Sequence, residues 1–599
     1  MNQENIRNTY FDIRNKNEAL LAKLKKNQLL VSLLRLLVFI AGSILSGLAF
    51  SISVITGILT LLVAIIFFLF LVIKFVRYSN EIIFTENIIR INNNEINALN
   101  GDYSAFDGGS DMNDPKHDFS GDIDLFGDDS LFRYLNRTVT GPGRSQLAGW
   151  LSEPYDLREE IIERQEAVRE LAGKLAWRQH FMACGLDKPL AEKEIKSLND
   201  WLREDDNFFT TPFIKLSAYI LPAAAVITLV FVFAGILSLK VFILLYVFNL
   251  MLIGIFIKRS NRIHAMVSQK HIFLSSVEQL VATFEKEQFK SSVLTATQEK
   301  MCTRQGSAAE KIRELKFLIQ AFDNRLNLFV GFILNGLLLW DFHCIIKLEK
   351  WRTSVSSSLP AWMNLLGKID GFNSLANYAY NNPDYSFPQV ENGEPVLEAD
   401  SLGHPLLKRE TRINNDFSVK RRGQVFIITG ANMAGKSTFL RTVAVNMVLG
   451  MIGAPVCAGG MKLSPVKLFT SMRTTDSLSH NESYFYAELK RLKALKERLE
   501  TGENIFFILD EILKGTNSTD KSLGSKLFLR RLIEYRGTGL IATHDISLGE
   551  METEFPVNVV NLCFEIEIDG ERISFDYLLR DGITRKMNAA ALMKQMGIA

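Results

Sequence analysis

Cysteine, histidine and net charge are all scarce in this sequence. The 599 residues include eight histidines and carry a formal net charge of +2. The five cysteines are Cys184, Cys302, Cys344, Cys457 and Cys563. Because they are far apart and form no Cys-x-x-Cys pair, the sequence argues against a zinc site or a disulfide framework and indicates isolated thiols in a reducing compartment. The near-neutral total gives no support for a strongly basic nucleic-acid-binding protein.

Charged residues are also nearly absent from two long apolar segments. Residues 29–75 contain only Arg35 and Lys74, and residues 216–257 contain only Lys240. A helix needs about 20 apolar residues to cross a bilayer, so each segment is long enough for two crossings. We predict two transmembrane hairpins, at 29–76 and 211–258; the alternative is a pair of core hairpins buried in a soluble protein. A shorter apolar stretch, residues 326–339, is predicted to be a buried core helix.

The basic residues that border these hairpins predict their orientation. They are Lys23, Lys25, Lys26, Lys74, Arg77, Lys215, Lys258, Arg259 and Arg262. All of them flank the outer ends of the hairpins, whereas the tight turns carry almost no charge. The positive-inside rule then predicts a multi-pass protein of the cytoplasmic (inner) membrane with both termini in the cytoplasm. The polar residues 1–28 do not resemble a cleavable signal peptide and are predicted to form an N-terminal cytoplasmic helix.

The rest of the chain divides by composition into helical and α/β parts. Residues 77–116 are predicted to form a helix followed by an acidic linker, and the Gly- and Asp-rich character of that linker extends over residues 105–129. Residues 117–210 and 259–385 show the three- and four-residue apolar spacing of helices. From 386 to 599, short β-type runs alternate with helical stretches, which predicts an α/β domain with a mainly parallel sheet.

A glycine-rich loop in this last part matches the phosphate-binding pattern G-x-x-x-x-G-K-[ST] between a strand and a helix. The loop consists of Gly430, Ala431, Asn432, Met433, Ala434, Gly435, Lys436, Ser437 and Thr438. Its backbone N–H groups are expected to face the phosphates of ATP, where the following helix adds the positive end of its dipole. Lys436 is expected to contact the β- and γ-phosphates, and Ser437 to bind Mg²⁺.

A second motif supplies the carboxylates that this chemistry needs. The apolar run 505–509 is followed by Asp510 and Glu511. Asp510 is expected to hold Mg²⁺, and Glu511 to orient and deprotonate the attacking water. His544 follows another predicted strand and is a candidate sensor of the γ-phosphate, although a structural histidine is the alternative. Ser483 opens an amphipathic helix, and its pattern alone fits a simple N-cap equally well.

Together these residues resemble the ATPase domain of the MutS mismatch-repair family. The resemblance rests on 430–441, Asp510-Glu511, 542–544, 469–478, Ser483 with Glu488, and the closing 581–597, and more moderately on 124–132 and 164–168. It implies an ABC-class P-loop ATPase domain C-terminal to an all-α core and lever region. It also implies a homodimer paired through the ATPase domains, with Ser483 on the partner subunit's ATP and Ile413 against the adenine ring.

The sequence departs from that family at several points. No mismatch-recognition domain precedes the core, and the predicted hairpins interrupt the chain instead. Leu513 stands where the family has a glycine, Tyr484 stands where it has a signature threonine, and the family's C-terminal dimerisation element is expected to be absent. Two functions stay open: a membrane-anchored MutS-like ATPase that binds DNA and is related to mismatch repair, or an ATP-driven membrane-remodelling protein that does not bind DNA. A transporter is disfavoured because the four predicted spans contain no intramembrane charge pair.

Overall fold

The protein was analysed as a computed structural model, which describes residues 3–154, 157–187, 190, 192–204, 208–268, 270–303, 306–473, 484–514, 517–569 and 572–584. Helices predominate through the first two thirds of the chain, and both larger sheets lie in the last third. The predicted combination of a helical region and an α/β region is therefore confirmed at the level of a mixed helical and sheet fold.

The first hairpin consists of two continuous helices, α1 (Gln3–Ile52) and α2 (Val54–Leu99). They meet at Ser53, whose hydroxyl accepts a hydrogen bond from the Ile55 N–H at 3.2 Å and so caps α2. Both helices extend well beyond the apolar segment, and their far ends pack against the helical body. There the buried Tyr10 donates to Asn381 at 2.8 Å, and the buried Glu95 of α2 pairs with Arg137 at 2.6 Å.

The second hairpin is formed by α8 (Pro212–Phe233), with Pro222 in its interior, and α9 (Leu239–Val267). Helix α8 begins within the predicted hairpin at 211–258, and α9 continues past that hairpin into the helical body. By length and composition, α1, α2, α8 and α9 are the four candidate membrane spans among the described residues.

The helical body surrounds this hairpin in sequence. Before it lie α3 (Leu131–Leu135), α4 (Gly141–Ser152), α5 (Arg158–Ala172), α6 (Leu175–Asp187) and α7 (Glu192–Leu202). After it come α10 (His271–Glu285), α11 (Ser292–Met301), the two-residue strands β1 (Cys302–Thr303) and β2 (Gly306–Ser307), α12 (Ala308–Asp323), α13 (Leu328–Leu338), α14 (Trp340–Val355) and α15 (Ser358–Asn381). Close packing of α15 on α4 requires glycine, since a Cβ on Gly143 would lie 2.2 Å from the Asp370 carboxylate.

Helix α13 corrects one sequence prediction. The apolar stretch 326–339 was expected to be a buried core helix, but α13 is exposed along one side, with Phe329 80% and Leu328 69% exposed. Only Gly331, Asn335 and Gly336 within it are buried. The prediction was wrong because a length of about 14 residues excludes a full membrane crossing but does not establish that protein covers the helix.

The larger sheet has six strands in the order β12-β11-β6-β10-β9-β8. Its strands are β6 (Val425–Gly430), β8 (Lys467–Ser471), β9 (Ile505–Asp510), β10 (Thr538–Thr543), β11 (Val559–Asp569) and β12 (Arg572–Asp581). All neighbours are parallel except β11 and β12, which pair antiparallel. The helices of this part are α16 (Lys436–Met451), α17 (Tyr484–Glu500), α18 (Ser518–Glu534) and α19 (Met551–Glu554). The mainly parallel sheet is as predicted from the sequence.

A second sheet of four strands was not predicted. It has the order β3-β7-β4-β5, with β3 (Gln389–Val390), β4 (Leu397–Leu402), β5 (Asn415–Val419) and β7 (Gly460–Leu463). Strands of two to six residues carry too little periodicity to be recognised in the sequence. This sheet brings the segment before β5 close to the glycine-rich loop.

The acidic segment 118–124, expected to belong to a linker, is instead packed on the edge of the larger sheet. Asp122 is buried, and its carboxylate accepts hydrogen bonds from the Thr470 hydroxyl at 2.5 Å, the Met472 N–H at 3.1 Å and the Arg473 N–H at 2.7 Å. Phe119 and Ile123 are buried beside it. Composition predicted a linker because Gly and Asp are typical of loops, but carboxylates that satisfy backbone N–H groups also make an ordered contact.

We expect Asp122→Ala to release the end of β8. The substitution removes the acceptor of two backbone N–H groups and one hydroxyl, and each unpaired buried donor costs about 1–3 kcal/mol. Hydrogen exchange measured by mass spectrometry should therefore become about tenfold faster or more in a peptide ending at Arg473. Asp128→Ala is the matched control, because the Asp128 side chain is 83% exposed. Equal exchange in both variants would contradict the proposed contact.

Candidate active site

The glycine-rich loop connects β6 to α16 and has a backbone that few residues can adopt. Gly435 has a φ of +103° and Met433 a φ of +65°, both in the left-handed region. Space is limited as well, because a Cβ on Gly430 would lie 2.9 Å from the Phe564 carbonyl oxygen. These glycines let the chain turn sharply from the sheet into the N-terminus of α16, where backbone N–H groups at the start of a helix can bind an anion.

Lys436 is the first residue of α16 and is buried in the turn of the loop. Its ammonium donates to the carbonyl oxygens of Gly430 at 2.8 Å and Ala431 at 2.9 Å. Burial lowers the pKa of Lys436 to about 8, and the nearby carboxylates of Asp510 and Glu511 oppose that shift. A buried cation held by two neutral carbonyls is suited to an anionic ligand, which would replace part of its lost hydration.

Ser437 and Asp510 meet across the sheet. The Ser437 hydroxyl donates to the Asp510 carboxylate at 2.5 Å, although 73 residues separate them in sequence. A hydroxyl and a carboxylate oxygen side by side are the ligand types that Mg²⁺ prefers. Among the described residues, no group of three or more His, Cys, Asp or Glu side chains is suited to a metal. An ion here would therefore take its other ligands from water and from phosphate oxygens.

Glu511 and His544 form the second contact of the site. The Nε2 atom of His544 lies 3.0 Å from a Glu511 carboxylate oxygen, and both ring nitrogens of His544 lie 3.4 Å from the Lys436 ammonium. Burial, followed by the adjacent Lys436 charge, lowers the pKa of His544. The imidazole is thus neutral near pH 7 and can donate to Glu511 without cancelling its negative charge.

The turn after β9 is strained and is held by a carboxylate of α17. Glu511 has a φ of +55° and Leu513 a φ of +61°, values that L-residues rarely adopt. The buried Glu488 of α17 accepts hydrogen bonds from the N–H groups of Leu513 at 2.6 Å and Lys514 at 3.2 Å. Burial raises the pKa of Glu488. The left-handed backbone at position 513 gives a physical reason for the glycine that the MutS family has there. Leu513 adopts this backbone only with conformational strain.

Gly524 of α18 makes room for that leucine. A Cβ on Gly524 would lie 2.5 Å from the Leu513 Cδ1 atom. Leu513 is itself buried and belongs to the apolar cluster between α17, α18 and the sheet. The burial of the Leu513 side chain offsets part of the backbone strain. This burial is possible only because residue 524 is a glycine.

A cavity of about 710 Å³ opens beside the loop. Of the sequence candidates, its lining includes Asn432, Met433, Ala434, Gly435, Lys436, Ser437, Thr438, Asp510, Glu511, His544 and Ile413. Gly430 and Ala431 adjoin it through their contacts with Lys436. The structure therefore brings these candidates together at one edge of the sheet. Ser483 lies outside the described residues, as does the end of the family-like sequence from residue 585 onward.

Asn415 and Tyr577 are two of the lining residues that the sequence did not indicate. Asn415 donates to the Tyr577 carbonyl at 3.0 Å and accepts from the Leu579 N–H at 2.7 Å, which ties β5 to β12. The Tyr577 ring stacks on Phe575 and closes over the loop, 3.0 Å from where a Cβ of Gly435 would lie. With Ile413, Tyr577 offers an apolar and aromatic surface for a planar ring. No motif marks either residue, since only the pairing of distant strands places them here.

Comparisons with known proteins match two parts of the chain. Residues 426–598 match the family model of MutS domain V, and residues 115–201 match that of MutS domain III. The chain is 31% identical to the DNA mismatch repair protein MutS of Thermotoga petrophila over 39% of its own length and 29% of the relative's. Identity is 28% to MutS of Persephonella marina over 43% and 30% of the two lengths, and 30% to the mismatch repair protein MSH4 of Arabidopsis thaliana over 35% and 27%.

The matched region thus spans less than a third of the length of these curated relatives. These matches support a relationship to the MutS family through its domains III and V, as the resemblance of the motifs predicted. The two apolar hairpins lie outside both matched ranges.

We expect Gly524→Ala to lower the thermal unfolding temperature, against the usual trend. Alanine in place of glycine inside a helix normally stabilises it by about 1 kcal/mol. Here the added methyl group would displace the Leu513 side chain from its position over α18. In a Leu513→Ala background the same change should become neutral or stabilising, so the double-mutant cycle should give a coupling energy of about 1 kcal/mol. Additive effects would show that Leu513 and Gly524 do not interact.

Proposed function

We propose that this chain is a membrane-anchored, MutS-like ATPase that binds ATP with Mg²⁺ and uses its hydrolysis to change conformation. The observation that carries the proposal is the grouping of Lys436, Ser437, Asp510, Glu511 and His544 at one edge of the parallel sheet, beside a cavity large enough for a nucleotide. Cofactor sites of open α/β sheets lie at this carboxyl-terminal edge. The match to MutS domain V gives independent support.

Each residue has a distinct part in the proposed reaction. The N–H groups of the loop 430–438 and the Lys436 ammonium bind the phosphates, while Ser437 and Asp510 hold Mg²⁺. The ion, when bound, neutralises charge on the phosphate oxygens. Glu511 orients the attacking water and accepts its proton. His544, neutral at pH 7, fixes the Glu511 carboxylate, and the Ile413 and Tyr577 side chains receive the adenine ring.

The quaternary and cellular parts of the proposal rest on resemblance and on charge. As an ABC-class P-loop ATPase, the chain would form a homodimer in which Ser483 of each subunit meets the other subunit's nucleotide. The hairpins at 29–76 and 211–258 would anchor it in the lipid bilayer of the cytoplasmic membrane. Both termini, the helical segments 77–116, 117–210 and 259–385, and the ATPase domain 386–599 would lie in the cytoplasm.

DNA is the partner suggested by the relatives, whose names describe DNA mismatch repair proteins. The basic residues that would contact DNA are Lys270, Lys286, Lys290, Lys300, Arg304 and Lys311. Lys270 is buried and donates to Ser197, Lys311 pairs with Glu314 at 3.1 Å, and Arg304 lies outside the described residues. Two of these six cations are thus occupied within the protein, whereas Lys286, Lys290 and Lys300 are exposed. The occupied cations support the second candidate function, in which the ATPase moves the hairpins and acts on lipid or on a membrane partner.

We expect Glu511→Gln to bind ATP but to hydrolyse it at least about 10²-fold more slowly, because the amide cannot accept the proton of water. The bound nucleotide should then persist, and the variant should accumulate as a dimer in light scattering of the detergent-solubilised protein. Glu550→Gln is the control, since the Glu550 side chain is 73% exposed and pairs with Lys526. A monomeric and fully active Glu511→Gln variant would refute both the role of Glu511 and the pairing model.

We expect purified protein in detergent to release duplex DNA at about 150 mM salt in a filter-binding assay, because a protein that neutralises few phosphates has little DNA affinity left at that salt. The same preparation should hydrolyse ATP faster after reconstitution into vesicles. Mismatched and fully paired duplexes are compared across the salt series. Specific retention of either duplex at that salt would exclude a purely membrane-directed function.

A further inference from the structure

Helix α13 is too short to span a bilayer and too apolar for an aqueous surface. Its 11 residues extend about 16 Å, roughly half the hydrocarbon thickness. Its outward side chains are large and apolar, with Phe329 80%, Leu328 69%, Ile333 55% and Phe332 54% exposed. The chain bends by 108° between the helical segment Ala308–Leu326, which contains α12, and α13 itself. A contiguous apolar surface of this size is unfavourable in contact with water, so we infer that an apolar environment covers it.

The position of α13 is defined by its contacts with α9 in the second hairpin. The Tyr246 hydroxyl donates to the Phe332 carbonyl at 2.9 Å, and the buried Asn249 side chain donates to the Gly336 carbonyl at 2.9 Å. The helices are so close that a Cβ on Gly336 would lie 2.1 Å from the Tyr246 ring. Helix α13 therefore lies beside the middle of α9, within the segment that the proposed function places in the membrane.

The outward surface of α9 at this level is apolar too. Val247, Phe248 and Met251 of α9 are 53%, 51% and 65% exposed. These side chains occupy the same stretch of α9 that contacts α13, so the two helices present their apolar surfaces at the same depth. If another protein covered α13, the adjacent surface of α9 would not need to be apolar as well. Lipid acyl chains would cover the apolar surfaces of α9 and α13 alike.

An ion pair closes the base of the α13 excursion. Arg325 precedes α13 and Asp341 follows it, and the two side chains meet at 2.9 Å with Asp341 fully buried. Arg325 also donates to Ser260 of α9 at 3.0 Å. Asn335 completes the arrangement, because its side chain donates to the Asp341 carboxylate at 3.1 Å and accepts from the Asp341 N–H at 3.0 Å. The chain thus leaves and re-enters the helical body at one point, where the Asp341 carboxylate and N–H group both have partners.

We propose that residues 326–339 form a re-entrant membrane helix, which enters one leaflet beside α9 and leaves it on the same side, with lipid acyl chains covering Phe329 and its neighbours. The inference rests on the membrane anchorage in the proposed function and adds an element that is not a complete span. Because α12 and α14 join α13 directly to the helical body, a displacement of that body would change how deeply an apolar helix sits in a single leaflet.

The test places an environment-sensitive NBD fluorophore at three positions in the full-length protein, reconstituted into phosphatidylcholine vesicles. Cys302 is first replaced by serine, because it is exposed whereas Cys184, Cys344, Cys457 and Cys563 are buried. The label is then attached at Phe329→Cys on α13, at Phe248→Cys on α9 and at Glu314→Cys on α12. Quenching by aqueous iodide and by doxyl-labelled lipid is measured for each.

We expect the Phe329→Cys label to behave like the Phe248→Cys label, with blue-shifted emission, quenching by doxyl lipid and protection from iodide. The Glu314→Cys label should show the opposite pattern. Iodide quenching at position 329 equal to that at 314 would overturn the proposal, and so would protection from both quenchers, which would mean that protein covers α13. If the label at position 248 also reports water, the membrane anchorage itself fails, which separates the two ideas.

Discussion

The parallel pairing of β6, β9 and β10 is the constraint on which the candidate site depends. Neighbouring parallel strands end at the same edge of a sheet, so the loops after β6, β9 and β10 converge although they are far apart in sequence. The short hydrogen bond between Ser437 and Asp510 and the contact between Glu511 and His544 both follow from this register. A shift of one residue in either pairing would turn these side chains to opposite faces of the sheet.

Residues of α17 and α18 hold this edge in a strained conformation. Glu488 satisfies the backbone after Glu511, and Gly524 admits the leucine that stands at a left-handed position. At the same edge of the sheet, Asp122 accepts hydrogen bonds from the end of β8 and connects it to the segment that leads into the helical body. Hydrogen bonds therefore connect the sheet edge, α17 and the helical body, and the proposed ATP-driven movement of the hairpins would require such a connection.

The polar groups near the second hairpin show how buried charge is managed there. Asp341 is fully buried, but it pairs with Arg325 and accepts a hydrogen bond from Asn335, so its charge is compensated at the base of α13. A buried carboxylate without such partners would lower the stability of the fold by several kcal/mol. The arrangement accounts for charged residues on both sides of an apolar stretch that is too short to span the bilayer.

The sequence by itself determined the glycine-rich loop, the acidic pair after β9, the mainly parallel sheet and the two apolar hairpins. These features depend on local order: a glycine-rich turn between a strand and a helix, a run of apolar residues, or a long segment without charge. The tertiary structure alone decided the places of Asn415, Tyr577, Asp122 and α13, because each depends on which distant segment lies opposite. Apolar composition indicates that a helix avoids water, but only its neighbours show whether protein covers it.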